Sequence, residues 1–187
     1  MSQDPKRLEE QVKAASEGAS LPPIEKWNPE LSGDIDIRVA RDGNWYHEGE
    51  LIQRDAIVRL FSTILRREDD GEYYLVTPVE KWRIQVEDTP LLAHSLEVAG
   101  DGEDQVLAVT TNVGERLLVG SEHPLEVGAY DSDNTPRPVI HVRRGLEARL
   151  VTAAYYELAD LLVESPSADG TTLGVWSNGE FFPVGNG

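Results

Sequence analysis

The apolar positions between Ile57 and Pro90 change their repeat midway, and that change sets the class of fold. Ile57, Leu60, Phe61, Ile64 and Leu65 fall at i, i+3, i+4, i+7 and i+8, one stripe of a helix, with Arg59, Arg66 and Arg67 off it. Asp69-Asp70-Gly71 is expected to end that helix. From Tyr73 to Thr77 the run has strand length, and Pro78, which has no N–H to donate to a ladder, marks a corner. Trp82, Ile84 and Val86 then alternate with Arg83, Gln85 and Glu87. One amphipathic helix against a polar-cornered hairpin predicts an α+β protein.

The flanks extend this pattern. Residues 4–17 read as a short helix with Leu8, Val12 and Ala15 on one side, too thin in apolar surface to dock firmly, so 1–20 is expected to be a flexible arm. A Pro-rich strap over 21–33 offers Ile24 and Trp27 as pins. Asp34–Val39 alternates as a strand, Asp42-Gly43 turns it, and Asn44–His47 returns. After Pro90, strands are predicted at 91–98, 105–110, 116–119, 125–130 and 139–142. A long helix follows from about Gly145, burying Leu150, Val151, Ala154, Tyr155, Leu158, Leu161 and Leu162. Ser165–Gly170 reads as a loop. A terminal hairpin over 172–184 turns through Ser177-Asn178-Gly179, where Asn-Gly suits a type I′ turn. Strands, helix, strand–turn–strand thus occur twice, which reads as an internal duplication with its boundary near Thr89–Pro90. The expected architecture is two packed halves, 21–89 and 90–187, each a small, mostly antiparallel sheet with one main helix.

Charge narrows the function. Across 187 residues the formal net charge is −17, which opposes binding to nucleic acid or an anionic membrane surface. No apolar run approaches the ~20 residues that cross a bilayer. The N-terminus MSQDPKRLEE lacks the apolar stretch of a secretory signal. There is no cysteine, so disulfides, thiolate metal sites and a cysteine nucleophile are all out of reach; a cytoplasmic location is expected.

Catalytic and metal motifs fail on inspection. Val175-Trp176-Ser177-Asn178-Gly179 lacks the leading glycine of a nucleophile elbow and sits in a hairpin, where a turn serine is the plainer reading. Gly100-Asp101-Gly102 has no third glycine and no following helix. Asp131-Ser132-Asp133 would place Pro136 and Val142 where a calcium loop needs Gly and Glu. The four histidines are scattered singly. No catalytic residue, metal ligand or cofactor is therefore expected.

The charge is uneven, however. No Lys or Arg lies between Arg83 and Arg116, whereas Arg137, Arg143, Arg144 and Arg149 crowd the stretch from Pro136 to Leu150. A helix starting after Arg143-Arg144-Gly145 would aim free N–H groups and two guanidinium forks at an anion, with Gly145 permitting close approach. The competing account is that these arginines only pair with the acidic strands of residues 84–115. A second polar corner, Thr77-Pro78-Val79-Glu80-Lys81, offers a hydroxyl, a carboxylate and an ammonium, with Trp82 or Trp176 as stacking faces; its plainer account is an exposed turn beside core tryptophans.

Six segments carry a family resemblance: DGNWYHEGELI, VRLFSTILRRE, YYLVTPVEKWRIQVED, TTNVGE, HVRRGLEA and LGVWSNGEFFPVG. In this order they closely resemble a bacterial family known only as a domain of unknown function, over about residues 23–184. The resemblance implies a duplicated domain with a C-terminal half like a pleckstrin-homology fold, a ligand site between the halves for a nucleotide-like molecule, and a role in signalling. Thr77, Glu80, Lys81, Asn112, Arg143 and Trp176 lie inside the matched segments and are carried over as site candidates. The resulting expectation is a non-enzymatic binding or regulatory protein. Arg143, Arg144 and the N–H groups after Gly145 would hold a phosphate, Lys81 would add charge, Thr77 and Asn112 would orient the ligand, and Trp82 or Trp176 would stack. A protein-interaction module using the acidic strands is the alternative, and a hydrolase using Glu80 or an Asp pair ranks behind both.

Overall fold

The computed structural model describes residues 5–15, 21–168 and 170–186. The chain divides into two compact units, one of Met1–Pro90 with Arg144–Leu146, the other of Leu91–Arg143 with Glu147–Gly187. The two family-like halves are strand-rich, with few and short helices.

The first unit opens with α1 (Pro5–Ala15) and a 3-10 turn at Ile24–Lys26. Strands β1 (Gly33–Val39), β2 (Trp45–His47) and β3 (Glu50–Leu51) form an antiparallel meander. Helix α2 (Asp55–Thr63) leads to a second antiparallel meander, β4 (Leu65–Arg67), β5 (Tyr73–Val76) and β6 (Lys81–Val86). Parallel pairing of β1 with β6 joins the meanders into one six-stranded sheet, ordered β3-β2-β1-β6-β5-β4. Alternation explains the strands: Ile35, Ile37 and Val39 are buried while Asp34 and Asp36 face solvent. The core gathers these residues with Trp45, Phe61, Ile64, Leu65, Leu75, Trp82 and Leu146.

The apolar stripe of 57–65 faces the core, with Leu60 half-buried and the other four positions buried, but the helix does not carry all of it. Ser62 and Thr63 donate their hydroxyls to the carbonyls of Arg59 and Leu60, three residues back, and Ile64 N–H bonds to Phe61 O. Such back-bonding competes with the helical ladder. The helix stops at Thr63, and Leu65, Arg66 and Arg67 continue as a strand. Asp69-Asp70-Gly71 is then the β4–β5 turn, closed by Gly71 N–H to Glu68 O. The expectation for α1 is also corrected. Leu8 and Val12 are buried in the unit's core, so residues 5–15 are docked. The remainder of the expected arm, residues 1–4 and 16–20, lies outside the described residues.

The second unit repeats the sheet. Strands β7 (Leu91–Ala99), β8 (Val106–Thr111) and β9 (Arg116–Leu118) form one meander. Strands β10 (Leu125–Ala129), β11 (Pro136–Arg143) and β12 (Leu146–Leu150) are neighbours in the next. Parallel pairing of β12 with β7 gives the order β10-β11-β12-β7-β8-β9. In both units the first and last of six strands therefore meet in parallel at the centre, so the duplication is one of sheet topology. It is not the repeat read from the sequence: α2 sits between the third and fourth strands of its sheet, whereas α3 (Thr152–Ala159) follows the sixth.

The long helix from Gly145 is the clearest correction. Leu146, Ala148 and Leu150 are buried and alternate with the half-buried Glu147 and Arg149, which is strand spacing. Arg144 and Gly145, with φ of 53° and 75°, form the two-residue turn between β11 and β12, and both positive angles suit a type I′ hairpin. Only eight residues of helix remain, with Ala154 and Leu158 buried.

A three-stranded antiparallel sheet, β13 (Val163–Ser167), β14 (Gly170–Ser177) and β15 (Glu180–Asn186), ends the chain. The expected loop at 165–170 thus contains most of a strand. The Asn178-Gly179 turn has positive φ at both residues, as its sequence requires. Ser177 is fully buried, accepting from Leu107 N–H and donating to Val119 O, which confirms a structural serine. Gly174 stands at a register shift in β14, where an added Cβ would lie 2.3 Å from Phe182 O and 2.6 Å from the Phe181 ring. A backbone oxygen cannot swing aside, so Gly174→Ala should cost about 1–3 kcal/mol in urea unfolding. Gly185→Ala, where nothing lies within 4 Å, should be close to neutral.

Candidate functional site

Within the first unit, Glu25, Asn28, Arg66, Arg67, Glu68, Asp69, Asp70 and Arg144 line an open cleft of about 590 Å³. Strand β4 supplies Arg66 and Arg67, the β4–β5 turn supplies the acids, and the 3-10 turn supplies Glu25. All three guanidinium groups donate to backbone oxygens, Arg67 through one long bond to Gly71 O (3.4 Å) and the other two through two each. Arg144 donates to Thr63 O (2.9 Å), to Pro22 O (2.8 Å) and to Glu25 Oε1 (2.5 Å). Arg66 donates to Ile24 O and Trp27 O (both 3.0 Å) and clamps Glu68 Oε2 through Nε and Nη2. The carbonyls fix the positions of both cations. Arg67 lies over the Tyr73 ring at 5.5 Å and beside Gly145, where a Cβ would stand 3.3 Å from that of Arg67.

Lys81 bonds the other Glu68 oxygen at 2.9 Å and lies 4.7 Å over the Tyr74 ring. The Tyr74 hydroxyl donates to Asp70 Oδ2 at 2.5 Å. The network polarises its acids. Burial pushes the Glu68 carboxyl up, but the hydrogen bonds from Lys81 and Arg66 outweigh it and the net shift is downward. The Arg144 hydrogen bond lowers Glu25, and the Tyr74 hydrogen bond lowers Asp70 while raising the Tyr74 phenol.

The sequence-derived candidates are dispersed by this geometry. Arg144 reaches the cleft, Gly145 abuts one of its walls, and Lys81 touches it through Glu68. The expected helix start after Gly145 does not exist, so no row of free N–H groups follows the arginines. Thr77 is fully buried and its hydroxyl accepts from the N–H groups of Glu80 (2.9 Å) and Val79 (3.3 Å), closing its own turn. Glu80, 5% exposed, accepts from Gln11 and pairs with Arg7, both on α1. Trp82, 3% exposed, belongs to the core and cannot stack on a ligand.

In the second unit Arg143 is bidentate on Glu115 through Nη1 (both 2.6 Å), the pairing with the acidic strands that the competing account foresaw. Asn112 is exposed and its Oδ1 accepts from Leu92 N–H. Trp176 packs edge-on against Phe181, and its carbonyl accepts from Gln105. Also in this unit, Glu126, His141 and Glu147 bring ligand atoms within 4.8 Å of one another on neighbouring strands. His141 Nε2 already bonds Glu126 at 2.9 Å, and Arg137 lies 3.9 Å from Glu147, so two of the three groups are engaged with each other and the third with a cation.

Sequence reasoning missed Arg66, Arg67, Asp69 and Asp70 as site residues. Their signal was visible in LRREDD, but the segment was assigned to a helix and its end. Glu25 and Asn28 had no such signal, because only folding sets the strap beside β4.

A protein built of two units that repeat one sheet topology, with a charge-lined cleft in the first, has counterparts. Residues 22–89 match the model of the N-terminal domain of DUF1285, a domain of unknown function, and residues 90–184 match that of the C-terminal domain. The chain belongs to the DUF1285 family, as its six segments indicated. It is 43% identical to a DUF1285 family protein from Silicibacter pomeroyi DSS-3, whose crystal structure gives a TM-score of 0.85 over 96% of this chain and 94% of that one. A DUF1285 family protein from Shewanella baltica OS155 is 31% identical, with a TM-score of 0.52 over 66% of this chain and 90% of that one. No curated protein matches the chain.

The lowered carboxylates fix a pH dependence. A carboxylate whose folded pKa lies below its unfolded value stabilises the fold at neutral pH, and that contribution is lost as the pH falls through the folded value. Glu68→Gln should therefore destabilise the protein at pH 7, and its deficit against wild type should shrink as chemical denaturation is repeated down through the acid range.

Proposed function

We propose that the protein is a non-enzymatic binding and regulatory module of bacterial signalling that takes a small nucleotide-like anion in the arginine-lined cleft of its first unit. One observation carries this reading: Arg66 and Arg144 are anchored by four backbone carbonyls beside an open cleft, yet the acid facing Arg144 is Glu25, whose side chain is 63% exposed. The cations are pre-organised and one of their counter-ions is free to swing into solvent. A phosphate or carboxylate of a ligand would replace Glu25 on Arg144 without rebuilding the site, and the cost of positioning the guanidinium is already met by folding.

The cleft volume is in the range of small-molecule sites, and its charged lining selects a polar, ionised ligand over an apolar cofactor. The non-enzymatic reading is supported by the employment of the best chemical groups elsewhere: Glu80 lies beneath α1, and the Ser177 hydroxyl is held between Leu107 N–H and Val119 O. We further read the second unit as pleckstrin-homology-like, because two three-stranded meanders are followed by a single helix, and we place the protein in the cytoplasm on its charge and lack of cysteine. No helix among the described residues is long and apolar enough to cross a membrane.

Isothermal calorimetry with inorganic phosphate and a panel of nucleotides tests the cleft. Glu25→Gln should tighten binding about tenfold by removing a competing charge-assisted bond, and Arg144→Ala should abolish it. Absence of heat from every compound, with Glu25→Gln as silent as wild type, would refute the reading.

A further inference from the structure

Strand β7 is interrupted by a bulge. Between the pairs His94–Thr110 and Glu97–Ala108, Ser95 and Leu96 together face Val109 of β8. Ser95 has a φ of 57°. Among the described residues the other positive angles outside glycine, at Glu48, Asn134, Arg144 and Asn178, fall between strands, whereas Ser95 lies inside one. A left-handed residue in a bulge favours glycine, and any side chain there is strained. Here the strain brings two functional groups together. Consecutive residues of a regular strand point to opposite faces, yet Ser95 Oγ lies 2.8 Å from Nδ1 of its neighbour His94. With the proton of the neutral imidazole on Nε2, which has no partner among the described residues, the Ser95 hydroxyl donates to Nδ1. A serine held this way by an imidazole is the arrangement that activates an oxygen nucleophile. Ser95 is exposed and His94 half-buried, so the pair is open to a reagent.

A cation stands beside the pair. Register runs from His94 to Thr110 and from Thr110 to Arg116, so the three share one row across β7, β8 and β9. The Arg116 guanidinium reaches back over β8 to β7, where its Nε donates to Glu97 Oε2 at 2.8 Å, two residues past Ser95. Both terminal amino groups of Arg116 are without a partner among the described residues, so their donors are open to an anion next to the bulge. The row thus holds a nucleophile, a base and an anion contact. Glu97 is engaged with Arg116, and no further imidazole stands in the row to protonate a leaving group. This selects a donor whose leaving group departs as a stable anion. The phosphate of an acyl phosphate does so, and its charge suits Arg116.

We propose that Ser95 is a covalent modification site that accepts an acyl group from a small acyl phosphate. His94 Nδ1 takes the Ser95 proton as Oγ bonds the acyl carbon. The bond between that carbon and the phosphate oxygen breaks, and its electron pair leaves with inorganic phosphate beside Arg116. The proton then passes from His94 to water, and the product is an O-acyl serine. The site lies in the second unit and is independent of the arginine cleft, so either can fail alone.

The test incubates the full-length chain with acetyl phosphate, maps acetylation by peptide mass spectrometry and measures the phosphate released. Ser95 should be acetylated about tenfold faster than any other serine. His94→Gln should slow that reaction about a hundredfold. Arg116→Gln should slow it about tenfold with acetyl phosphate, while leaving the rate with the neutral donor p-nitrophenyl acetate unchanged. Ser95→Gly should take no label at this position and should unfold at a higher urea concentration than wild type, because the backbone strain is gone. A Ser95 no more reactive than other serines, or an unchanged rate in His94→Gln, would overturn the proposal. A Ser95→Gly chain less stable than wild type would make the hydroxyl a structural prop of the bulge and equally overturn it. So would a serine that takes acetyl from the ester but not from the acyl phosphate, or phosphate release that outruns the adduct, since the chain would then be turning the donor over.

Discussion

Each unit depends on a parallel pairing between the first and last strands of its sheet. A three-stranded meander is local and has two open edges; joining two of them needs partners far apart in sequence. In the first unit β1 meets β6 with Gly33 opposite Trp82, and Gly33, at φ 143°, leaves the indole room that a Cβ would contest at 3.3 Å. Charges cross the same seam, Arg83 to Asp34 and Arg38 to Glu87, both at 2.6 Å. These pairs are exposed and add little stability, but a one-residue slip would separate Asp34 from Arg83. The second unit makes its seam from small and large apolar residues, Ala148 opposite Leu91 and Leu150 opposite Ala93. One topology is thus specified by two chemistries, which is why the halves share so little sequence.

The strong acidity of the chain is also structural. Three of the four arginines between Pro136 and Leu150 pair with a carboxylate: Arg137 with Glu147, Arg143 with Glu115 and Arg144 with Glu25. What looks like a basic island along the sequence is, for these three, a set of counter-ions in space. The exception in kind is Arg144, whose remaining donors go to backbone carbonyls and whose carboxylate partner stands mostly in water. That asymmetry sets Arg144 apart from Arg137 and Arg143.

Strand periodicity was legible wherever one face is buried, as in Ile35-Ile37-Val39 and Trp82-Ile84, and turns were legible where Asn-Gly or Asp-Gly demands positive φ. The errors lay where two periods overlap. Leu146, Ala148 and Leu150 alternate as a strand, yet with Val151, Ala154 and Leu158 they also fit a helical stripe. Only the β7 partner, more than fifty residues earlier, resolves the choice. The helix over 57–65 ran too long for a related reason: Ser62 and Thr63 spend their hydroxyls locally, and β5 then captures Leu65.

By itself, the sequence determined the family, the position of most strands, the Asn178-Gly179 turn and the acidic net charge, because each follows from local geometry or a simple sum. Tertiary structure decided which carboxylate each guanidinium serves, that Thr77, Glu80 and Trp82 are interior, and that Glu25 and Arg144, 119 residues apart, share a cleft. Partner choice among charged side chains is a matter of distance in space, and one acidic residue looks like another until the chain has folded around it.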